Sequence, residues 1–318
     1  MSEDTPQTRR SERGKAVRGS LLLLLGAVIW GAAFAAQRAG MDHMGAFSFS
    51  GIRMLLGGIV MIPVAALSER KHRGEEKPDP KTQRRAGLLC GLFLFAATSL
   101  QQLGLVYASA GKAGFITALY VVLVPVAGLI LFRANPGRAV WLGVALAVAA
   151  LFLLCVPAGG FQVEGADLLL IGCAVCFTGQ ILCVDRYVTR VNGAALARDE
   201  FLVTGALSAA VALTAETITA EGVREALIPI LYTGILSSAV GYTLQIIGQR
   251  DVNPTLASLI MCLESVFAVL TGAVLLGEVM TPRESLGCVL MFIAVILAQL
   301  APAIGRKRIR PGKTCERR

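Results

Sequence analysis

Two ionisable side chains stand deep inside long apolar runs, and they are the residues best placed to do chemistry. Glu264 lies in Ile260-Met261-Cys262-Leu263-Glu264-Ser265-Val266-Phe267-Ala268, ten residues beyond Pro254. Arg53 follows Gly51-Ile52 in a second run. A charge in mid-bilayer costs about 2.5–3.5 kcal/mol on insertion scales, so each needs a reason to be there. For Glu264 one reason is proton exchange, with the carboxyl facing a central cavity and taking or releasing a proton as a substrate moves. The other is structural, a carboxyl bonded to neighbouring helices, with Arg53 as a partner. Arg53 is either a packing or gating anchor or a ligand for a substrate carboxylate.

Uncharged polar groups in similar runs point to the walls of such a cavity. They are Gln101 and Gln102, Tyr120, Thr178 and Gln180, and Tyr242 and Gln245. An amide or hydroxyl in hydrocarbon requires a partner, so these side chains are expected to turn inward, toward substrate or toward one another. Trp30 sits in mid-run rather than at an interface, which suits either cavity lining or packing. Pro63, Pro125 and Pro229 interrupt three runs and supply kinks.

The elements that position these residues are membrane helices. Crossing about 30 Å of hydrocarbon at about 1.5 Å per residue takes roughly 20 mostly apolar residues. Ten stretches qualify: 20–40, 46–68, 86–107, 112–132, 138–157, 165–184, 197–215, 226–248, 254–277 and 282–304. The seventh is the weakest, being short and running into Thr214, Glu216 and Thr217. The 318 residues are 55% apolar and 16% charged, with mean hydropathy +0.67. That is more apolar surface than a soluble core hides, which excludes an ordinary cytosolic enzyme, a disordered chain and a secreted disulfide scaffold. The first run resembles a secretory signal ending at Ala33-Phe34-Ala35, but it exceeds the usual ~7–15 residues.

The net charge of +9 is a topology signal. With the N-terminus inside, 25 of the 30 Lys and Arg fall on inside segments and four (Arg38, Lys112, Arg224, Arg283) on outside ones; Arg53 is within a span. Cytoplasmic loops retain basic residues, so both termini are expected in the cytoplasm of a cell-membrane protein. Nucleic acid is not an expected partner. Seven of eight cysteines lie in or at the ends of spans, where a thiol behaves as a small hydrophobe, and Cys173-x-x-Cys176 falls in mid-helix with no second pair. With two histidines, both in loops, and no phosphate-binding loop, neither a cofactor nor a metal is expected, nor enzyme activity.

The chain also repeats. Gly114-Phe115-Ile116-Thr117-Ala118-Leu119 parallels Pro254-Thr255-Leu256-Ala257-Ser258-Leu259, and Leu123-Val124-Pro125-Val126 parallels Leu263-Glu264-Ser265-Val266. Five spans per copy is odd, so the second copy enters the membrane in the opposite sense. The expected fold is therefore all-α and integral to the membrane, ten transmembrane helices as two inverted five-helix repeats. The repeats cover 20–157 and 165–304, with basic tails at 1–19 and 305–318.

At this point the chain resembles the EamA family of the drug/metabolite transporter superfamily. The resemblance rests on Ile29-Trp30-Gly31-Ala32-Ala33-Phe34, Gly51-Ile52-Arg53, and Leu263-Glu264-Ser265-Val266-Phe267-Ala268 running on to Leu276-Gly277-Glu278 and Gly287. The family pattern usually has Pro after the span 9 glutamate, where this chain has Ser265. The resemblance implies export or uptake of small metabolites, amino acids or drugs; alternating access follows from the inverted repeat, and protons are a coupling partner in the proton-exchange reading of Glu264. Monomer and homodimer are equally compatible with the sequence. The competing classes are a membrane-embedded enzyme and a non-transporting receptor or scaffold.

Overall fold

Helix starts at the membrane edges are built from short polar residues that accept from free backbone N–H groups. Asp79 accepts from Lys81 N and Thr82 N, Asn192 from Ala194 N and Ala195 N, and Asn253 from Leu256 N, with Pro80 and Pro254 in the first turn of their helices. Glu164 and Asp167 form a reciprocal capping box. The computed structural model describes residues 6–71, 78–108, 110–156, 164–276 and 279–300. The tail 305–318 and Glu278 lie outside the described residues.

Among the described residues the fold is helical without strands, and the chain is an all-α integral membrane protein. Its helices are α1 (Pro6–Met41), α2 (Ala46–Lys71), α3 (Pro80–Tyr107), α4 (Ala110–Ala118), α5 (Tyr120–Phe132), α6 (Arg138–Cys155), α7 (Gly165–Tyr187) and α8 (Gly193–Ala215). Then follow α9 (Ala220–Glu225), α10 (Leu227–Leu231), a wide π-helical segment (Tyr232–Tyr242), α11 (Thr243–Gln249), α12 (Pro254–Met261), α13 (Glu264–Leu276) and α14 (Pro282–Leu300).

Nine segments among the described residues are long and apolar enough to cross a membrane. The remaining one of the ten expected spans, the seventh (α8), is 23 residues long, but Arg198, Asp199 and Glu200 fall within its early turns. Its weakness comes from that charged start and not from the short polar end expected at 214–217.

Most packing joins the first half to the second. The α2 helix lies along α8, α6 along α14, and α3 along both α7 and α8. The pattern survives exchange of the halves. Packing of α3 on α7 is matched by α1 on the π segment and α11, and α5 on α7 by α1 on α13. Two copies related by a two-fold axis in the membrane plane make that pattern. Close approach depends on small residues. A Cβ on Gly91 would stand 2.6 Å from the Val203 side chain, so the Gly87-x-x-x-Gly91 face of α3 admits α8.

The fourth and ninth spans both break in mid-membrane. At Leu119 the ladder tightens, with Leu119 N bonding Ile116 O at 3.2 Å and Val122 N bonding Leu119 O at 3.0 Å. At Cys262-Leu263 the same tightening appears, with Leu263 N on Ile260 O at 3.1 Å and Ser265 N on Cys262 O at 3.2 Å. These three-residue bonds are one turn of the narrower helix type. Pro125 lies five residues beyond the first restart, while Ser265, its counterpart in the sequence repeat, directly follows the second restart at Glu264, which forms without a proline.

Candidate functional site

The breaks set α5 and α13 starting in mid-membrane at Tyr120 and Glu264. The Tyr120 hydroxyl donates to Glu264 Oε1 at 3.4 Å, and Cys262 Sγ donates to Ala118 O at 3.6 Å, so the broken spans meet at their discontinuities. Glu264 is buried at 7% exposure.

A cavity of about 50 Å³ opens beside this junction, between the two halves. Glu264, Tyr120 and Met261 line it, as do Trp30 and Phe34 of α1. Toward the expected outer side lie Gln37, Arg53 and Gln101; toward the expected inner side lie Phe177, Gln180 and Gln245. Small-molecule sites commonly measure ~300–1,000 Å³, so this one must widen before it admits a metabolite.

Arg53 is 2% exposed, with its guanidinium 5.8 Å from the Phe49 ring centroid and its Nε without a partner. Arg53 and Glu264 both line the cavity, yet no ion pair joins them, so the sequence-level partnership between the two is replaced by the Tyr120–Glu264 bond. Trp30 both lines the cavity and packs. Its Nε1 donates to Ser237 O at 3.0 Å, and its ring centroid is 4.9 Å from that of Tyr242. The approach requires glycine at 241, where a Cβ would stand 2.6 Å from Trp30 Nε1.

Eight of the ten residues singled out from the sequence therefore share one cavity: Trp30, Arg53, Gln101, Tyr120, Gln180, Tyr242, Gln245 and Glu264. Gln102 and Thr178 do not line it. Thr178 donates to its own backbone at Ala174 O, 2.8 Å away, and Gln102 is buried with neither amide atom partnered. The sequence reading passed over Gln37, Thr117 and Ser237, which line the cavity, and Glu200 of α8, which is fully buried behind it. Glu200 accepts from Gln180 Nε2 at 3.4 Å, making it a second carboxyl inside the helical bundle. Its signal was the stripe Glu200, Thr204, Ser208, one residue per helical turn and wholly buried.

Outside the cavity, one cluster ties the halves together at the expected extracellular edge. Lys112 Nζ sits 3.0 Å from Glu164 Oε2 and 3.1 Å from Asp167 Oδ1.

Comparison with known proteins follows the same two-part division. A family profile described as the EamA-like transporter family matches residues 17–156 and again 165–300. A protein of Archaeoglobus fulgidus named as an uncharacterized transporter is 29% identical, over 91% of this chain and 88% of its own. The inner membrane transporter YedA of Escherichia coli, itself named as uncharacterized, is 27% identical over 88% of this chain and 92% of its own. A protein of known crystal structure superposes with a TM-score of 0.74, covering 89% of this chain and 96% of that one, at 19% identity.

Proposed function

This chain belongs to the EamA-like transporter family, and from that premise we propose that it is a secondary transporter, an exporter or exchanger of small metabolites, amino acids or drugs. The cavity between the halves is its cargo site, exposed to one side and then the other as the halves rock. The observation that carries this reading is a buried cation and a buried carboxyl, Arg53 and Glu264, on the walls of one cavity and unpaired with each other. An unpaired buried charge is stabilised by a visiting opposite charge or by loss of its own. Arg53 offers five donors to an anionic or polar group of the cargo, and Glu264 takes and releases the coupling proton.

The broken fourth and ninth spans support the same reading, since discontinuous helices at a repeat interface are a recurrent way of building a mid-membrane site. In this reading α8 is the seventh of ten crossings, the halves are residues 20–157 and 165–304, and both termini lie in the cytoplasm of a cell-membrane protein, as the basic residues suggest.

The test is flux into proteoliposomes containing only this protein, over a panel of metabolites, amino acids and drugs, with and without a pH gradient. Uptake or counterflow of a panel member, stimulated by the gradient and lost to stimulation in Glu264→Gln, is the expected result. Glu264→Gln vesicles that keep full gradient stimulation would remove Glu264 from coupling. A panel without any flux would favour the receptor or enzyme class.

A further inference from the structure

Glu200 is fully buried on the inward face of α8 with Thr204 and Ser208, its Oε1 without any partner. The titratable groups around it are Cys90 from α3, Cys183 from α7 and Tyr242 from the π segment. Asp185 and Arg186 lie farther along α7, toward its end; α2 brings the apolar Met61, and α11 carries no titratable residue. On its own helix, Arg198 is engaged by Asp199 at 2.7 Å and lies 3.9 Å from Glu69. No ion pair among the described residues reaches Glu200.

The hydrogen bonds that lead away from it form a chain of amides that branches at Gln245. Gln180 Nε2 donates to Glu200 Oε2; Gln245 Nε2 donates to Gln180 Oε1 at 3.0 Å and to Gln249 Oε1 at 3.1 Å; Gln249 Nε2 donates to Ile181 O at 3.3 Å. A carboxylate accepts and cannot donate, so an ionised Glu200 dictates which end of the Gln180 amide faces it. That in turn fixes the amide of Gln245. Gln180 and Gln245 are cavity walls, and Glu200 is not.

We propose that Glu200 is a proton-binding site behind the cavity, and that its protonation reverses the Gln180–Gln245 amide pair. One proton, delivered by water admitted through the cavity, becomes the Glu200 O–H. That O–H donates to Gln180 Oε1, the Gln180 amide turns, and its Nε2 donates to Gln245 Oε1. For Gln245 to accept there its own amide turns as well and gives up the Nε2 bond to Gln249 Oε1; loss of the proton to water restores the original order. The inner wall thereby exchanges donors for acceptors, which changes its affinity for a polar cargo group. This rests on the cavity reading only for where the cargo binds.

The test is infrared difference spectroscopy of the full chain in liposomes, comparing acidic and alkaline buffers, with isotope-labelled glutamine. Wild type is expected to show protonated-carboxyl bands from Glu200 and Glu264 together with a glutamine carbonyl shift; Glu200→Gln loses the Glu200 band and the glutamine shift, and Glu264→Gln loses only the other band and keeps the shift. A glutamine shift that survives in Glu200→Gln, or that is lost in Glu264→Gln instead, overturns the proposal. Gln180→Leu leaves Glu200 in place and is expected to keep the Glu200 band and lose the glutamine shift. A glutamine shift that persists there overturns the proposal even where Glu200→Gln does not fold. Flux unaltered by Glu264→Gln would sink the coupling role of that residue and leave these bands as they are.

Discussion

Tyr120 and Glu264 are each the first residue of a helix that restarts in mid-membrane, and the hydroxyl of one donates to the carboxyl of the other across 3.4 Å. The bond crosses from the first half of the chain to the second. It is therefore made or broken whenever the halves move against each other at this level. Tyr120→Phe removes the donor and keeps the ring, which stands 6.5 Å from Phe177. A hydrogen bond contributes about 0.5–1.5 kcal/mol net. The expected outcome is a two- to tenfold fall in flux, on the order of that energy, with thermal stability nearly unchanged; proteoliposome flux beside a melting curve checks it.

Trp30 reports on the α1 side of the same cavity. Gly241→Ala places a methyl 2.6 Å from Trp30 Nε1 and forces the indole off Ser237 O. Overpacking of this kind typically costs about 1–3 kcal/mol. The chain has two tryptophans, so in a Trp141→Phe background the emission reports Trp30 alone. A red-shifted emission and a lower melting temperature are expected; an unchanged spectrum would mean that the indole is not held there.

At the other edge of the bundle, Lys112 faces Asp167 and Glu164, which belong to the other half. Asp167 is 2% exposed. Lys112→Met leaves that carboxylate buried without its cation, and Asp167→Asn removes the charge while retaining an oxygen for the Glu164 amide. The lysine change is therefore expected to be the more damaging, by about 1–3 kcal/mol. Thermal unfolding of both variants in one detergent decides the order.

Asp79, just before the third span, is the clearest case of pH-sensitive local order. The Thr82 hydroxyl, then the Lys81 and Thr82 amides, hydrogen-bond its carboxylate and hold its pKa below the ordinary value of 3.8. A depressed pKa adds stability that is present above the unfolded value and is lost as pH falls through the folded one. The α3 start is therefore expected to fray only in acid, and in Asp79→Ala at every pH. Hydrogen exchange at the Lys81 and Thr82 amides measures both.

The positions of the helices and the inward turn of their polar groups were legible in the sequence because hydrocarbon leaves few alternatives. A Gln or Tyr in a lipid-bounded run turns toward a partner inside the bundle; Gln180, Gln245 and Tyr120 find one, while Gln102 turns inward and finds none. The same reasoning overreached at Thr178, since a hydroxyl on a helix also satisfies itself on the carbonyl one turn back. Glu200 was hidden for the opposite reason. Within Arg198-Asp199-Glu200 it looks like one more charge at a membrane edge, yet successive residues point about 100° apart. Arg198 and Asp199 pair with each other on one side, and Glu200 alone turns inward. The break at Leu119 leaves no mark in composition, with neither Gly nor Pro at the point where the helix restarts.

The interlocking of the halves bears on how the protein is made. The first five crossings leave the ribosome with few neighbours of their own, since the faces of α2, α3 and α6 are shaped for α8, α7 and α14, which are synthesised later. Until then Arg53 and the Gly87–Gly91 face have only lipid or a passing chaperone to meet. Synthesis in reverse order, by circular permutation between residues 156 and 164, would present the same problem to the other half. The faces that each half needs covered are supplied by the other, so the first waits in the membrane for the second.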